Sequence, residues 1–302
     1  MSKIAVVGGS GYIGSHVVDE LIKQGHEVDV LDIMKPHRPD VNFKHIDITD
    51  FSRTIIPLTG NYDVVYLLAA VADVRDMAKI PVEACQINVM GVVNVLEAMR
   101  KLSIPRLIFS STVWCYESAL EQNVDENTPF SLNRCNNIYT ASKIAAELFI
   151  NAYFKLYGAP NFTILRYGIP YSGRARRGTV IESFVTKALA GQPLTIQGDG
   201  LQTRKFVNVE DLARGNVAAL SPKAANQTYN LEGSELITIK QIAETVQRLV
   251  GNVQITYLPA RAGDYEGKNV SAEKAKRELG WTPQISFEEG MKKYIEWRRS
   301  LK

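Results

Sequence analysis

Lys3-Ile4-Ala5-Val6-Val7-Gly8-Gly9-Ser10-Gly11-Tyr12-Ile13-Gly14 is the stretch that decides the architecture of this chain. A short apolar run enters a glycine-rich turn. A helical pattern then follows (Ile13, Val17, Val18, Leu21, Ile22) and ends near Gly25. Glycines permit the tight turn and let bare backbone approach a pyrophosphate, while the helix N-terminus supplies amide donors and partial positive charge. An ordinary glycine-rich strand–helix turn has the same composition, so the flanking strand and helix carry more weight than the motif.

Working outward, Glu27–Leu31 is a second apolar run, closed by Asp32. Further strand-like runs are Val64–Leu68, Arg106–Ser110 and Phe162–Arg166, with helical stretches at 82–101 and 139–157 between them. Pro81 suits the first turn of the former and Gly158 suits a C-cap of the latter. Short, nearly continuous apolar strands alternating with helices indicate a parallel sheet covered on both faces, a doubly wound α/β architecture. The alternation weakens after Gly168. A Gly/Arg-rich loop at 170–178 precedes a helix near 180–190, a strand at Leu194–Gln197, the turn Gly198-Asp199-Gly200 and a strand at Lys205–Asn208. Helices are expected at Ile237–Val250, Ala272–Leu279 and Phe287–Arg299. The domain division expected is 1–168 for a dinucleotide and 169–302 for a smaller α/β substrate domain, with part of 203–232 returning to the first.

Composition bounds the function. The 302 residues are 45% hydrophobic and 22% charged, with a formal charge of +3. That is ordinary for a soluble globular protein and too weakly basic to imply a nucleic-acid or membrane surface. No apolar run approaches the ~20 residues of a membrane span, and glycines arrive too early for a signal-peptide core. Cys85, Cys115 and Cys135 have no metal-ligand spacing, and their odd number argues against a disulfide framework. A reduced, cytoplasmic compartment is expected. All four histidines fall within the first 45 residues, which disfavours a histidine hydrolase or a metal centre.

Candidate chemistry follows from strand ends. Asp32 terminates the second strand, where a carboxylate can bond the ribose hydroxyls of an adenosine and repel a 2′-phosphate, so NAD is favoured over NADP. Lys35 and Arg38 lie nearby. Asp47-Ile48 ends the next run and either flanks the adenine or forms a plain turn. Arg106-Leu107-Ile108-Phe109 runs into Ser110-Ser111-Thr112, placing hydroxyls at the crevice end of a parallel strand. Tyr139 and Lys143, four apart on a helix, share a face. An ammonium beside a phenol favours the phenolate, which makes a general base near neutral pH. A Tyr four residues before a Lys is commonly a surface pair. Here it is the single such pair among 13 tyrosines, and it follows the glycine turn and the serine-rich strand end in order.

At this point the chain resembles the extended short-chain dehydrogenase/reductase family, in particular its nucleotide-sugar epimerases of the UDP-glucose 4-epimerase type. The resemblance spans nearly the whole chain. It rests on Gly8 to Gly14, Leu68-Ala69-Ala70, Asn88 with Gly91 and Asn94, Phe109 to Thr112, Tyr139 to Lys143, Leu165-Arg166-Tyr167, Gly198-Asp199-Gly200 with Arg204, and Arg261-Ala262-Gly263-Asp264. It implies a Rossmann sheet with bound NAD. Tyr139 would be the base, Lys143 would hold the nicotinamide ribose and tune Tyr139, and Thr112 would bond the reacting sugar hydroxyl. Gly8, Gly11, Tyr12, Ile13, Asp32, Asp47, Ile48, Ala69, Ala70, Asn88, Ser110 and Tyr167 would line the cofactor. Arg204 and Arg261 would grip the substrate diphosphate, with Asp264 near the nucleoside. Ile169, Thr179, Val180 and Ile196 are expected to shape the sugar pocket.

The chain departs from the family pattern at four places. Ile169 stands for a frequent asparagine, Leu67 for a histidine, and Glu117 and Ser172 for glycines. Arg174, Arg176 and Arg177 make a basic loop read as solvated, with phosphate or carboxylate contact as the alternative. In the dehydratase and decarboxylase relatives carboxylates follow the threonine. Here Val113 and Trp114 follow, and neither moves a proton. The expected reaction is therefore 4-epimerisation of a UDP-hexose or UDP-hexuronate through a transient 4-keto sugar. A reductase or decarboxylase on the same fold is the alternative, and a catalytically silent NAD-binding regulator is a third reading. Apolar residues on more than one side of the helices at 82–101 and 139–157 (Val89, Val92, Val93, Leu96; Ile144, Leu148, Phe149, Tyr153) would either make a four-helix homodimer interface, as the resemblance implies, or pack inside one chain. No nucleic acid or membrane partner is expected.

Overall fold

A computed structural model describes every residue except 176–177, 252, 260–266 and 302. Seven parallel strands form the central sheet, in the spatial order Gln227–Leu231, Asn161–Tyr167, Arg106–Thr112, Val64–Leu67, Lys3–Val7, Glu27–Asp32, Asn42–His45. The first strand in sequence sits inside the sheet, with Glu27–Asp32 on one side and Val64–Leu67 on the other. The winding therefore reverses beside it and opens a crevice at the carboxyl ends of these strands.

The two-residue period of a strand explains the continuous apolar runs. Ile4 and Val6 pack on one face with Val17, Val18 and Leu21 of helix Tyr12–Lys23 and Leu212 of helix Val209–Ala218. Ala5 and Val7 pack on the other with Val95 and Leu96 of helix Gly91–Lys101 and Ile150 of helix Ile138–Tyr157. Both faces are covered, so neither can alternate with polar residues.

The stretch read as one helix over 82–101 has three parts. Pro81–Cys85 is α-helical, Gln86–Met90 is a π turn, and Gly91–Lys101 is α-helical again. The π turn buries Asn88, and its amide clamps the loop after Val64–Leu67 by accepting from Val71 N and donating to Val71 O. Helix Ile138–Tyr157 is capped by the Asn137 side chain, which accepts from Thr140 N, and stops at Gly158 with φ +71°. Val92, Leu96 and Ile144 pack within the chain, whereas Leu148 and Leu156 stay 63% and 72% exposed.

Part of the remaining chain builds a smaller lobe with its own core. Leu236–Thr238, Thr203–Asn208 and Ile169–Tyr171 make a three-stranded sheet, and Leu194–Gln197 pairs with Ile255–Leu258. Helices Val180–Leu189, Ile239–Val250 and Phe287–Ser300 enclose a separate core around Phe184, Val185, Ile196, Ile242 and Met291. Thr238 and Gln241 form a capping box at the start of Ile239–Val250, so that helix begins two residues later than expected. The segment 209–231 crosses back to the central sheet as a helix and an edge strand.

Candidate active site

Strand Lys3–Val7 delivers the chain to Gly8 at φ +87°, where a Cβ would come within 2.3 Å of Ala69 N. At Gly14 a Cβ would lie 2.1 Å from the Gly8 carbonyl. Only glycine lets the turn and the helix start close this tightly. Helix Tyr12–Lys23 has no capping side chain and no acidic residue in its first turn, which suits an anion. Asp32 is buried, and its carboxylate accepts from Ser10 N at 2.9 Å and from Met34 N at 3.0 Å, tying the end of the second strand to the glycine turn. Arg38 is held by Asp40 and Asp19.

A cavity of about 600 Å³ runs from this turn to the smaller lobe. Gly8, Gly11, Tyr12, Ile13, Ala70, Ser110 and Tyr167 form one part of its wall, and Thr112, Tyr139 and Lys143 another. Thr112 ends strand Arg106–Thr112, is buried, and accepts from Trp114 N at 3.2 Å. Ser110 Oγ donates to Leu67 O. Lys143 is buried. Its Nζ donates to Ser110 O at 2.9 Å and stands 4.9 Å from the Phe109 ring centre. Burial pushes this ammonium down to about 8, against the pull of the Glu147 carboxylate. Tyr139 lies one helical turn earlier on the same face, half-buried.

Residues 4–231 match the model of the NAD dependent epimerase/dehydratase family. The chain belongs to that family. It is 32% identical to a UDP-glucuronate 4-epimerase of Thermodesulfobacterium geofontis, over 99% of this chain and 97% of the relative. It is 30% identical to UDP-glucuronic acid decarboxylase 1 of Danio rerio, over 98% of this chain and 72% of the relative. A crystal structure of UDP-glucose 4-epimerase with UDP-glucose from Thermotoga maritima superposes with a TM-score of 0.88 at 29% identity, covering 99% of this chain and all of that one.

The residues present fit the family's dinucleotide. The glycine cradle opens an uncapped helix start and is bonded through Ser10 N to the Asp32 carboxylate, and the cavity leads from the turn to Tyr139 and Lys143. When bound, NAD supplies a reversible acceptor for a hydride from the substrate. Five residues expected at the cofactor are absent from the cavity wall. Asp32 stands at the far side of the turn, and Ala69 is the backbone strut on which Gly8 packs. Asp47 accepts from the Thr49 hydroxyl and amide, bonds that hold its carboxyl below the usual range. Ile48 is buried against Gly91 and gives its carbonyl to Asn94. Asn88 is consumed by Val71, Met77 and Ser142, so it braces the wall from behind.

Thr179, Val180 and Arg204 of the smaller lobe also line the cavity, and Thr179 caps helix Val180–Leu189. Ile196 does not join them. It is fully buried in the core of the smaller lobe beneath Gly200. Arg261 and Asp264 lie outside the described residues, as do Arg176 and Arg177. Arg174 is not solvated. It reaches Asp19 at 2.7 Å and His37 at 2.8 Å across the lobe boundary. His16 stays neutral alongside, pushed down to about 4 by burial and by this guanidinium. Of the departures, Ile169 and Ser172 line the cavity, Leu67 is core, and Glu117 accepts from Asn137.

The sequence had not marked several wall residues: Asp73 and Arg75 at the start of helix Val74–Lys79, Tyr171, Phe206, and Tyr294 of the last helix. None belongs to a motif. A second hollow of about 790 Å³ contains Glu232, whose carboxyl burial pushes up to about 8, but none of Thr112, Tyr139 or Lys143 reaches it.

Proposed function

We propose that this protein is an NAD-dependent nucleotide-sugar 4-epimerase whose substrate is a UDP-hexose or UDP-hexuronate. One observation carries the reading. Thr112, Tyr139 and Lys143 share a single cavity wall with the glycine turn, and the residue that follows the threonine into that cavity is Trp114, not a carboxylate. Tyr139 takes the proton of the sugar 4-hydroxyl, Thr112 bonds the same oxygen, and Lys143 provides the positive charge that favours the phenolate. The carboxylates elsewhere on the wall are engaged. Asp73 accepts from Arg75, and Glu182 accepts from Gly178 N and Thr186 Oγ1. With no acid–base pair for elimination beside the reacting centre, the 4-keto sugar turns and is reduced on its other face. Arg204 and Arg261 hold the diphosphate meanwhile, with Asp264 at the nucleoside. The similarity to a UDP-glucuronate 4-epimerase and a UDP-glucose 4-epimerase supports the same outcome.

Residues 1–168 hold the cofactor and 169–302 the nucleotide sugar in this reading. The protein works as a homodimer through the exposed apolar stripe Leu148, Phe149 and Leu156, takes no nucleic acid, and resides in the cytoplasm, in keeping with three free cysteines. Among the described residues no helix is long and apolar enough to cross a membrane.

The test is incubation with a panel of UDP-sugars and NAD, with products read by NMR. The expected product is the 4-epimer with no net NADH. Released CO₂, a 6-deoxy-4-keto sugar or stoichiometric NADH would assign the chain to a different branch of the family. A monomer in light scattering at micromolar concentration would remove the dimer.

A further inference from the structure

Directly behind the cavity lies a buried polar layer that the chemistry above does not use. Helix Ile138–Tyr157 turns one face to the sheet, and Lys143 and Glu147 stand on it one turn apart, both buried. Glu147 Oε1 accepts from Ser111 Oγ at 2.5 Å and from Arg166 Nε at 3.0 Å, while Oε2 accepts from Arg166 Nη2 at 2.7 Å. Arg166 donates its third nitrogen to the Tyr116 hydroxyl at 2.7 Å, and that hydroxyl donates to Asn230 Oδ1. The guanidinium sits 5.1 Å and 4.8 Å from the Tyr116 and Phe130 ring centres.

Two consecutive residues of one strand end are thus pinned by one helix. Ser110 gives its carbonyl to Lys143, and Ser111 gives its hydroxyl to Glu147. Strand side chains alternate in direction, so holding Ser111 toward the helix points Thr112 the other way, into the cavity. The charges are unequal. Lys143 and Arg166 are two buried cations, and among the described residues Glu147 is the carboxylate bonded to Arg166 and set one helical turn from Lys143. A buried ion pair adds little stability over an apolar pair of the same volume, but a buried cation without its anion is costly. An arrangement of this kind beside a lysine that has to stay charged calls for a role in that charge.

We propose that Glu147 is a positioning residue of this site: its carboxylate, clamped by Arg166 one helical turn from Lys143, holds through Ser111 the strand end whose Ser110 carbonyl receives the Lys143 ammonium, and favours that charged form. The proposal rests on the epimerase reading only for the use made of Lys143. Burial alone drives the Lys143 ammonium down, and Glu147 is the group that opposes the fall. The other groups facing this layer do not substitute for it. Tyr139 shares the helix, and Arg166 on strand Asn161–Tyr167 has the wrong sign. Cys115, Tyr116 and Tyr167 are pushed up by burial and are neutral at pH 7. The segments packed against Ser142 present Met77 and Asn88, which do not titrate, and Asp73 and Arg75, farther along the same cavity wall, are paired with each other.

The test uses cofactor-free protein carrying ¹³C at the lysine ε carbons, with the Lys143 resonance assigned through Lys143→Arg. In Glu147→Gln the Lys143 titration midpoint is expected to fall by about one pH unit or more, the usual effect of removing a neighbouring opposite charge. Glu147→Asp, with the carboxylate drawn back by one methylene, moves it less and in the same direction. With substrate, the alkaline limb of kcat follows the midpoint while KM holds, because Glu147 touches no ligand. A folded Glu147→Gln protein whose Lys143 midpoint does not move overturns the proposal, whatever its kcat. If that variant does not fold, an unmoved midpoint in folded Glu147→Asp does so. A midpoint that moves in a protein turning over no nucleotide sugar would overturn the epimerase reading and leave the role of Glu147 standing.

Discussion

Lys143→Met is expected to stabilise the cofactor-free protein near neutral pH while removing its activity. The folded protein holds the Lys143 ammonium in a buried position, where its pKa falls from 10.5 to about 8. At about 1.4 kcal/mol per pH unit, that interval is worth ~3 kcal/mol. The sign follows from proton counting. Below pH 8 the folded and unfolded chains both carry the proton, and the fold bears the whole penalty. Between 8 and 10.5 the unfolded chain binds more protons than the folded one, so wild-type stability climbs with pH. Above 10.5 both are neutral and the penalty has gone. Methionine, similar in length and uncharged, never incurs it. The stability advantage of Lys143→Met over wild type should therefore shrink by ~2.5 kcal/mol between pH 7 and pH 10. Loss of the bond to Ser110 O costs the variant about 1–3 kcal/mol, but equally at every pH. It changes the offset and not the slope, and the other titrating groups cancel in the difference. Urea unfolding of both proteins at intervals across this range measures it. A difference that stays constant from pH 7 to pH 10 would refute the reasoning.

Three more outcomes follow from the site. Tyr139→Phe should lose at least about 10²-fold in kcat, the contribution of a positioned general base, with NAD affinity nearly unchanged by calorimetry; near-wild-type turnover would take Tyr139 out of the chemistry. Gly14→Ala puts a methyl 2.1 Å from the Gly8 carbonyl; the turn must open, at a cost of about 1–3 kcal/mol, and NAD binding should weaken by about tenfold or more, so an unchanged Kd and melting temperature would show that the cradle does not need this approach. Asp32→Ser withdraws the carboxylate that accepts from Ser10 and Met34 and should lower the preference for NAD over NADP; an unaltered ratio of the two dissociation constants would deny Asp32 that part.

Much of the central sheet was legible because its strands are covered on both sides. Runs such as Ile4–Val7 and Val64–Leu67 must be continuous and apolar, and the turns between them are punctuated by glycine and proline. Strand Asn42–His45 was not legible. It is an edge strand with Phe43 as its one large apolar residue, and its half-buried pattern carries little signal. The π turn at Gln86–Met90 was hidden by unbroken helical spacing, since an extra residue in one turn is invisible until Asn88 is seen bonding to Val71. Ile196 was misplaced because the strand Leu194–Gln197 alternates, and alternation does not reveal which of its two faces meets a cavity and which meets the core. Arg174 was misread because a cation in a glycine-rich loop resembles a solvated one, whereas its partners His37 and His16 lie 137 and 158 residues away.

By itself the sequence determined which chemistry is available: a glycine turn between strand and helix, a hydroxyl at a strand end, and a phenol and an ammonium one helical turn apart. Each of these is a local relation, settled within a few residues by backbone geometry. Only the tertiary structure decided what surrounds them. Glu147 meets Arg166, Tyr294 reaches the cavity of Tyr139, and Asn88 turns away from that cavity to brace it. Those contacts depend on how separate elements pack face to face, and the distance along the chain that divides them leaves no local pattern for the residues to show.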